Sequence, residues 1–471
     1  MLNLPRRLGD ARGVVCPRVA RGAVDRGHCR APGLRSYQAW ECERAVPTEV
    51  VVVVLAPFVL AFLIACFREP TRIALSAYAA SIQFGSGLST GLPAPLGSLS
   101  SLLGIVLGTA LLVQLITLRR SGYRISAEIP VWLAFLALTG VTVFWSVSPH
   151  LTVPSFLNFA SLVLMSVLLM LTGVNRAELR LTESALLIGG LLAVSYGLAQ
   201  LLFLGGLPSS DEGSPRFGND LLGPNNQAAA LLLPFAIAMA RMALTEGRRQ
   251  AAYTLAATVL LTGVVLTGSR GGLLAAIVTV IAMIAFTRRG RRALVAYALS
   301  GVMLLGGMVA LQPAGIGERL IQSEQTSSGR AEIWEVALSA CKSYCLIGSG
   351  WGTFPRVYAL ERSSVPEARV LKRGTSYEPH NIWILAGIET GLLGLLLVSL
   401  GFALSLRTAL RVPAWVRGPP VAALLGTVVC GIFLSNLEYK FFWMVLVYVS
   451  LSHQVATSEL TTDDPAVPVH A

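Results

Sequence analysis

Long apolar runs alternate with short polar segments along most of the chain. The run VVVVLAPFVLAFLIAC (51–66) carries no charge, and SLLGIVLGTALLVQLITL (101–118) and LNFASLVLMSVLLMLTG (157–173) are similar. About 20 apolar residues in a helix are enough to cross the hydrocarbon core of a bilayer. The pattern therefore predicts an all-α, polytopic transmembrane bundle.

The apolar runs predict twelve spans and one large loop domain between the ninth and the tenth. Their approximate bounds are 50–66, 98–118, 129–146, 153–172, 184–204, 225–240, 251–266, 271–286, 293–311, 381–406, 420–435 and 438–453. The chain then consists of a tail (1–46), spans one to nine (47–311), the loop domain (312–380), spans ten to twelve (381–453) and a second tail (454–471).

Basic residues are concentrated in every second connection. The segments LRRSGYR (118–124), NRAELR (175–180), RMALTEGRR (241–249), TRRGRR (287–292) and RTALRVPAWVR (407–417) together hold 15 Lys and Arg residues. Basic loops stay in the cytoplasm. This predicts cytoplasmic termini and outer connections near 67–97, 147–152, 205–224, 267–270, 312–380 and 436–439.

The short segment TRIALSAYAASIQFG (71–85) leaves one alternative open. It is only moderately apolar, so it either stays near the interface or crosses. A crossing would reverse the first span and place the N-terminus outside.

Composition supports a membrane protein and argues against nucleic-acid binding. The chain is 54% hydrophobic and 13% charged, whereas soluble domains are about 25% charged. The net charge of +12 follows from the basic connections and from the Arg-rich N-terminal tail, which we expect to be disordered. Cys341 and Cys345 lie four residues apart, a spacing that suits a disulfide poorly on a regular helix. The cysteine spacing predicts no metal site, and we expect no cofactor.

Three predicted outer helix starts carry polar residues. Asn225 and Asn226 can cap one helix; Ser269 can cap another, with Arg270 in its first turn; His380 and Asn381 open a third. Within the loop domain, a helix over SSGRAEIWEVALSAC (327–341) would place Ile333, Trp334, Ala337 and Leu338 on one face. Helix N-termini attract anions.

Arginine at a helix start calls for an anion, because its charge opposes the helix dipole. Arg216, Arg270 and Arg330 together suit a pyrophosphate. Alternatives remain for each residue: an arginine at a membrane edge also reaches lipid headgroups, and His380 also serves as an interfacial cap. Glu389, inside a predicted span, needs a partner or a proton. It lies nine residues beyond His380, about 13 Å along a helix, which is too far to act on the same atom.

At these residues the sequence resembles the O-antigen ligase and polymerase family of bacterial surface-glycan assembly. The matching pieces are the SP dipeptide after FWSV (144–149), RFGNDLLGPNN (216–226), TGSRGGLLA (267–275), GRAEIW (329–334), IGSGWGTF (347–354) and PHNIW…GIETGLLGL (379–395). The resemblance implies a donor glycan on polyprenyl pyrophosphate and a glycan, lipid or protein acceptor. It also implies that Arg216, Arg270 and Arg330 bind the pyrophosphate and that His380 is essential.

These observations predict a metal-independent glycosyltransferase that acts on the outer face of the cytoplasmic membrane. His380 would accept the proton of the acceptor hydroxyl, or instead bind the pyrophosphate or orient the acceptor. Asn225, Asn226, Ser269, Asn381 and Glu389 would support the site. We expect inversion at the anomeric carbon, since no carboxylate is placed as a nucleophile. A polymerase that extends a lipid-linked glycan is the nearest alternative. A transporter or flippase of lipid-linked sugars, or a scaffold protein, is a different class.

Overall fold

The computed structural model describes residues 48–85, 97–118, 126–203, 217, 223–311, 330–365 and 377–462. These residues form helices and short connections and contain no β-strand. The chain divides into two units, residues 1–57 and 58–471. The predicted N-terminal tail and Arg216 lie outside the described residues.

Sixteen α-helices are present in the described part of the chain, and we number them in chain order. They are α1 (Thr48–Arg68), α2 (Leu75–Ser81), α3 (Leu99–Leu118), α4 (Glu128–Val141), α5 (Pro149–Thr172), α6 (Arg176–Phe203), α7 (Gly223–Ala230), α8 (Leu232–Leu244), α9 (Gly247–Leu266), α10 (Arg270–Phe286), α11 (Arg291–Leu311), α12 (Arg330–Tyr344), α13 (Phe354–Glu361), α14 (Ile382–Arg411), α15 (Gly418–Phe433) and α16 (Lys440–Thr462). A π-helical turn (Pro70–Ala74) leads into α2, and a 3₁₀ turn (Ile82–Phe84) follows it.

The helices coincide with the predicted apolar runs. In the described residues, seven helical stretches are long and apolar enough to cross a membrane: Leu99–Thr117, Pro149–Thr172, Arg176–Gln200, Gly223–Leu244, Gly247–Leu266, Ile382–Arg411 and Lys440–Ser458. Four shorter apolar helices accompany them. The multi-pass, all-helical class is therefore confirmed, whereas the count of twelve crossings remains a prediction.

The end of the last helix differs from the prediction. α16 continues to Thr462, so residues 454–462 are helical and do not belong to a disordered tail. Their backbone hydrogen bonds extend the helix that starts at Lys440, and the side chains of Val455 and Ala456 are buried.

α8 lies at the centre of the bundle. Nearly all of its residues are buried, and it packs against α6, α9, α10, α11 and α15. A helix that is apolar on all sides belongs in an interior position. Its neighbours α10 and α15 approach each other closely, since a Cβ built on Gly426 would lie 2.2 Å from the Thr279 hydroxyl.

The bundle has two chemically different ends. We call the end that carries residues 346–354 and 377–382 the loop end. The opposite end carries the arginine-rich connections 241–250 and 286–292, and we call it the basic end. The stretch from Gly223 to Leu244 holds 22 residues, so about 33 Å of helix separates the two ends.

The segment before α3 runs from one end of the bundle to the other. The Thr71 hydroxyl donates to the Glu178 carboxylate at 2.6 Å, beside the start of α6 at the basic end. The Gly85 carbonyl instead accepts from Ser100, and Ser100 accepts from Lys440 at the loop end. The prediction that residues 67–97 lie together on the outer side is therefore wrong. The structure favours the alternative in which residues 71–85 cross, and the predicted cytoplasmic N-terminus loses its support.

Candidate active site at the loop end

Helix α14 breaks one third of the way along its length. Gly391 has φ 73°, a left-handed conformation inside an otherwise regular helix. The break leaves the carbonyls of Ile388 and Glu389 without helical partners. They accept instead from the backbone N–H groups of Ser349 (2.9 Å) and Gly350 (3.0 Å). The glycine-rich loop is thus bonded directly into the broken helix.

The Glu389 carboxylate completes this connection. One oxygen accepts from the Gly352 N–H and the other from the Phe354 N–H, both at 2.8 Å. The side chain is only 1% exposed. Phe354 is the first residue of α13, and a carboxylate at a helix start satisfies N–H groups that have no partner within the helix. Of the alternatives for Glu389, the geometry favours a structural hydrogen-bond partner.

The glycine-rich loop also contacts α4 and α5. Trp351 is fully buried and packs on Phe159, with ring centres 4.6 Å apart, and edge-on against Phe135. Its backbone N–H donates to the Thr142 hydroxyl at 3.0 Å. Gly350 has φ 109°, and an added Cβ would lie 2.4 Å from the Ser146 hydroxyl. These contacts fix the loop domain on the end of the bundle.

His380 occupies a strained position just before α14. Its φ is 47°, and it is the only non-glycine residue with positive φ in the described part of the chain. Such conformations are concentrated at functional sites because the surrounding structure must hold them in place. One restraint is the indole N–H of Trp334 on α12, which donates to the Pro379 carbonyl at 2.8 Å.

Arg330 and His380 lie close enough to interact electrostatically. Burial, and in addition the positive charge of Arg330, lower the pKa of His380 to about 4. The imidazole is therefore neutral near pH 7 and able to accept a proton. Arg330 is the first residue of α12, so the start of this helix lies near the imidazole of His380.

Asn381 caps α14, whereas the alternative from the sequence gave that position to His380. Its side-chain oxygen accepts from the N–H groups of Trp383 (2.9 Å) and Ile384 (3.0 Å). Its amide nitrogen donates to the Ile432 carbonyl near the end of α15 at 3.1 Å. The cap therefore also ties α14 to α15.

The start of α10 has the predicted local structure. Gly268 ends α9 with φ 63°, and the Ser269 hydroxyl accepts from the Gly272 N–H at 3.2 Å. Arg270 is the first helical residue, and its side chain is exposed. A Cβ on Gly271 would lie 2.8 Å from that of Phe433, so this helix start packs against the end of α15.

The start of α7 differs from the prediction. The helix begins at Gly223, so Asn225 and Asn226 lie in its first turn and neither is its cap. Asn226 lies beside the hydroxyl of Tyr439. The Ala228 methyl lies 2.5 Å from a Cβ built on Gly272, which places this turn against the start of α10.

Three helix starts therefore meet around one connection. The starts of α10 and α14 flank residues 431–433, because Gly431 packs on Ile382 and Gly271 packs on Phe433. The start of α7 adjoins both α10 and the connection that follows α15. Arg270, Arg330 and His380 are contributed by the elements gathered at this end.

Sequence reasoning missed the connection 434–440 (LSNLEYK). Asn436 in this segment and Gln227 in α7 are buried, and their amide groups have no hydrogen-bond partner among the described residues. Tyr439 is also here, and both burial and the carboxylate of Glu378 raise its pKa. A tyrosine between two charged residues in a short link between apolar helices was the available signal.

Two expectations for α12 are wrong. Cys341 and Cys345 form a disulfide at the C-terminal end of α12, with Cα atoms 4.5 Å apart. Leu338 is 68% exposed, whereas Ile333 and Ala337 are buried. The first residues of the predicted helix, 327–329, lie outside the described residues.

The fold and these contacts define a multi-pass helical membrane protein with a polar site at one end of the bundle. Residues 255–399 match the family model described as O-antigen ligase. The match covers under a third of the chain and runs from α9 into α14, across Arg270, Arg330 and His380. It confirms, over this segment of the chain, the resemblance found in the motifs. No curated protein matches the chain in sequence.

Proposed function

We propose that this protein is a membrane glycosyltransferase of the O-antigen ligase type. It transfers a glycan from a polyprenyl-pyrophosphate donor to a hydroxyl of a glycan, lipid or protein acceptor. The observation that carries the proposal is the meeting of three helix starts with Arg270, Arg330 and a neutral, strained His380. The family match supports the glycosyltransferase class.

The arginines have the chemistry to bind the leaving group. As the glycosidic bond breaks, its electron pair leaves with the polyprenyl pyrophosphate. Arg270 and Arg330, together with Arg216, offer planar donors that pair with phosphate oxygens, and the helix starts add further N–H groups. Positive groups held in place before the reaction stabilise the developing charge without a metal ion.

His380 acts as the general base in this proposal. The imidazole takes the proton of the acceptor hydroxyl while the acceptor oxygen attacks the anomeric carbon from the side opposite the pyrophosphate. One C–O bond forms, one breaks, and the configuration inverts. Glu389 does not compete as nucleophile, because both of its oxygens accept backbone hydrogen bonds.

We place the loop end on the outer side of the cytoplasmic membrane. Two observations support this orientation. The arginine-rich connections lie at the opposite end, as expected for cytoplasmic loops. The Cys341–Cys345 disulfide belongs to the loop end, and disulfides persist in oxidising compartments.

The decisive experiment is glycan transfer by the purified protein in EDTA, with a polyprenyl-pyrophosphate oligosaccharide and a panel of acceptors. We expect transfer by wild type and loss of transfer in Arg270→Ala and His380→Ala, with an inverted product. The identity of the productive acceptor distinguishes a ligase from a polymerase. Movement of the donor between vesicle leaflets without any transfer would replace this proposal with a flippase.

A further inference from the structure

A polar cavity of about 550 Å³ lies at the basic end, away from the candidate active site. It is lined by the starts of α6, α9 and α15, the ends of α8 and α10, and the middle of α16. Its charged lining residues are Arg176, Arg180, Glu183, Arg241, Arg249 and Arg289. The lining therefore contains five arginines and one carboxylate.

That carboxylate is already bound. Arg241 donates to one oxygen of Glu183 through Nε at 3.1 Å and through Nη2, while the Tyr448 hydroxyl donates to the other at 2.9 Å. No second acidic residue lines the cavity in the described part of the chain. The six charged groups therefore sum to +4, and the positive charge is arranged around an enclosed volume.

The remaining walls suit the junction between a phosphate group and acyl chains. The Thr287 hydroxyl is buried in the wall and has no hydrogen-bond partner among the described residues. Ile237, Leu244 and Val455 form apolar wall. At the rim, Trp415 is 46% exposed and lies 5.8 Å from the guanidinium of Arg176. Tryptophan is enriched at the level of lipid headgroups.

This cavity is separate from the proposed donor site. Its basic residues are also arranged in a way that membrane topology alone does not require. About 33 Å of helix lies between Gly223 at the loop end and Leu244 in the cavity wall. The positive-inside rule requires basic loops, but it does not require them to enclose a pocket around a partly buried ion pair. Basic pockets between transmembrane helices on the cytoplasmic side bind anionic headgroups.

We propose that this cavity binds the phosphodiester headgroup of an anionic phospholipid. Arg249 and Arg289 pair with its phosphate oxygens, Thr287 donates to one of them, and the acyl chains leave along the apolar wall. A free phosphate shares the charge but lacks the chains, so the test includes it as a separate arm.

The experiment measures lipid adducts by native mass spectrometry, and the melting temperature, on the purified full-length protein in neutral detergent. The probes are phosphatidylglycerol, phosphatidylcholine and inorganic phosphate at equal concentration. Arg249→Gln/Arg289→Gln removes two lining charges. Arg248→Gln/Arg288→Gln removes two exposed charges from adjacent positions that do not line the cavity, so it is a matched control.

We expect wild type and the control double variant to retain phosphatidylglycerol and to melt at higher temperature with it. The cavity double variant should bind about tenfold more weakly, since it loses two charge-assisted contacts. Equal loss in both variants, or no loss in either, overturns the proposal. So does displacement of the lipid by equimolar phosphate. If the cavity double variant does not fold, the wild-type protein still tests the proposal. Retention of phosphatidylcholine equal to that of phosphatidylglycerol overturns it.

Discussion

The loop end and the basic end hold their charged groups in different ways. At the loop end, His380 and Asn381 are positioned by backbone hydrogen bonds and a broken helix, so their geometry is rigid. At the basic end, arginines extend from regular helices and short links, and Arg241 forms an ion pair with Glu183. A site that stabilises a transition state needs fixed groups, whereas a headgroup site tolerates adaptable side chains.

The largest difference that we expect between the two ends is the effect of a substitution on catalysis. His380→Ala should lower kcat/KM for glycan transfer by about 10²–10⁴-fold, the usual contribution of a general base. His150→Ala is the matched control, because this histidine is exposed at the same end, in the first turn of α5. Transfer assays with saturating donor provide the measurement. Similar losses in the two variants would contradict the assigned role.

Glu389 offers the next largest effect, on stability. Glu389→Ala leaves the N–H groups of Gly352 and Phe354 buried without an acceptor, at a cost of about 1–3 kcal/mol each. We expect a clearly lower melting temperature in detergent, with a smaller loss in Glu389→Gln, which keeps one acceptor. Exposed Glu335 on α12 is the control, and its change to Gln should be nearly neutral. A Glu389→Ala protein as stable as wild type would contradict the idea that the Glu389 carboxylate stabilises the glycine-rich loop.

The pH profile tests the coupling of Arg330 to His380. The folded pKa of about 4 lies below the usual value of about 6.5, so the imidazole remains neutral as the pH falls to about 4. We expect kcat/KM to hold through pH 6 and to fall with a midpoint near 4. In Arg330→Gln the midpoint should move upward, because one of the two causes of the lowered pKa is gone. An unchanged midpoint would show that burial alone lowers the pKa.

The smallest effect concerns a glycine at the basic end. Gly247 has φ 59° and no atom near a built Cβ, so Gly247→Ala should cost about 1 kcal/mol through backbone strain alone. Gly350→Ala at the loop end adds a collision with Ser146 to the same kind of strain and should cost more. Thermal unfolding of both variants gives the comparison. Equal losses of stability in the two variants would mean that the loop end accommodates an added methyl group as easily as the basic end does.

Local signals in the sequence predicted much of this architecture. The apolar runs located the helices, because bilayer thickness sets a minimum length for them. Ser269 was identified as a cap because capping depends on residues only two or three positions away. The helix over residues 330–344 was also visible in the sequence pattern.

Long-range contacts were not predictable in the same way. The break at Gly391 depends on hydrogen bonds to a loop some forty residues earlier in the chain. A single glycine in an apolar run does not predict such a break. The path of residues 70–84 is shown by the pairing of Thr71 with Glu178, more than a hundred residues away.

The break in α14 has a consequence for how the protein is made. The loop around Ser349 leaves the ribosome before its acceptors at Ile388 and Glu389, and Asn381 must wait longer still for Ile432. The loop-end segment therefore cannot reach its final form until the helices that follow it are in place. Folding is completed at the loop end, and a chain truncated before α15 would lack the acceptor of the Asn381 amide.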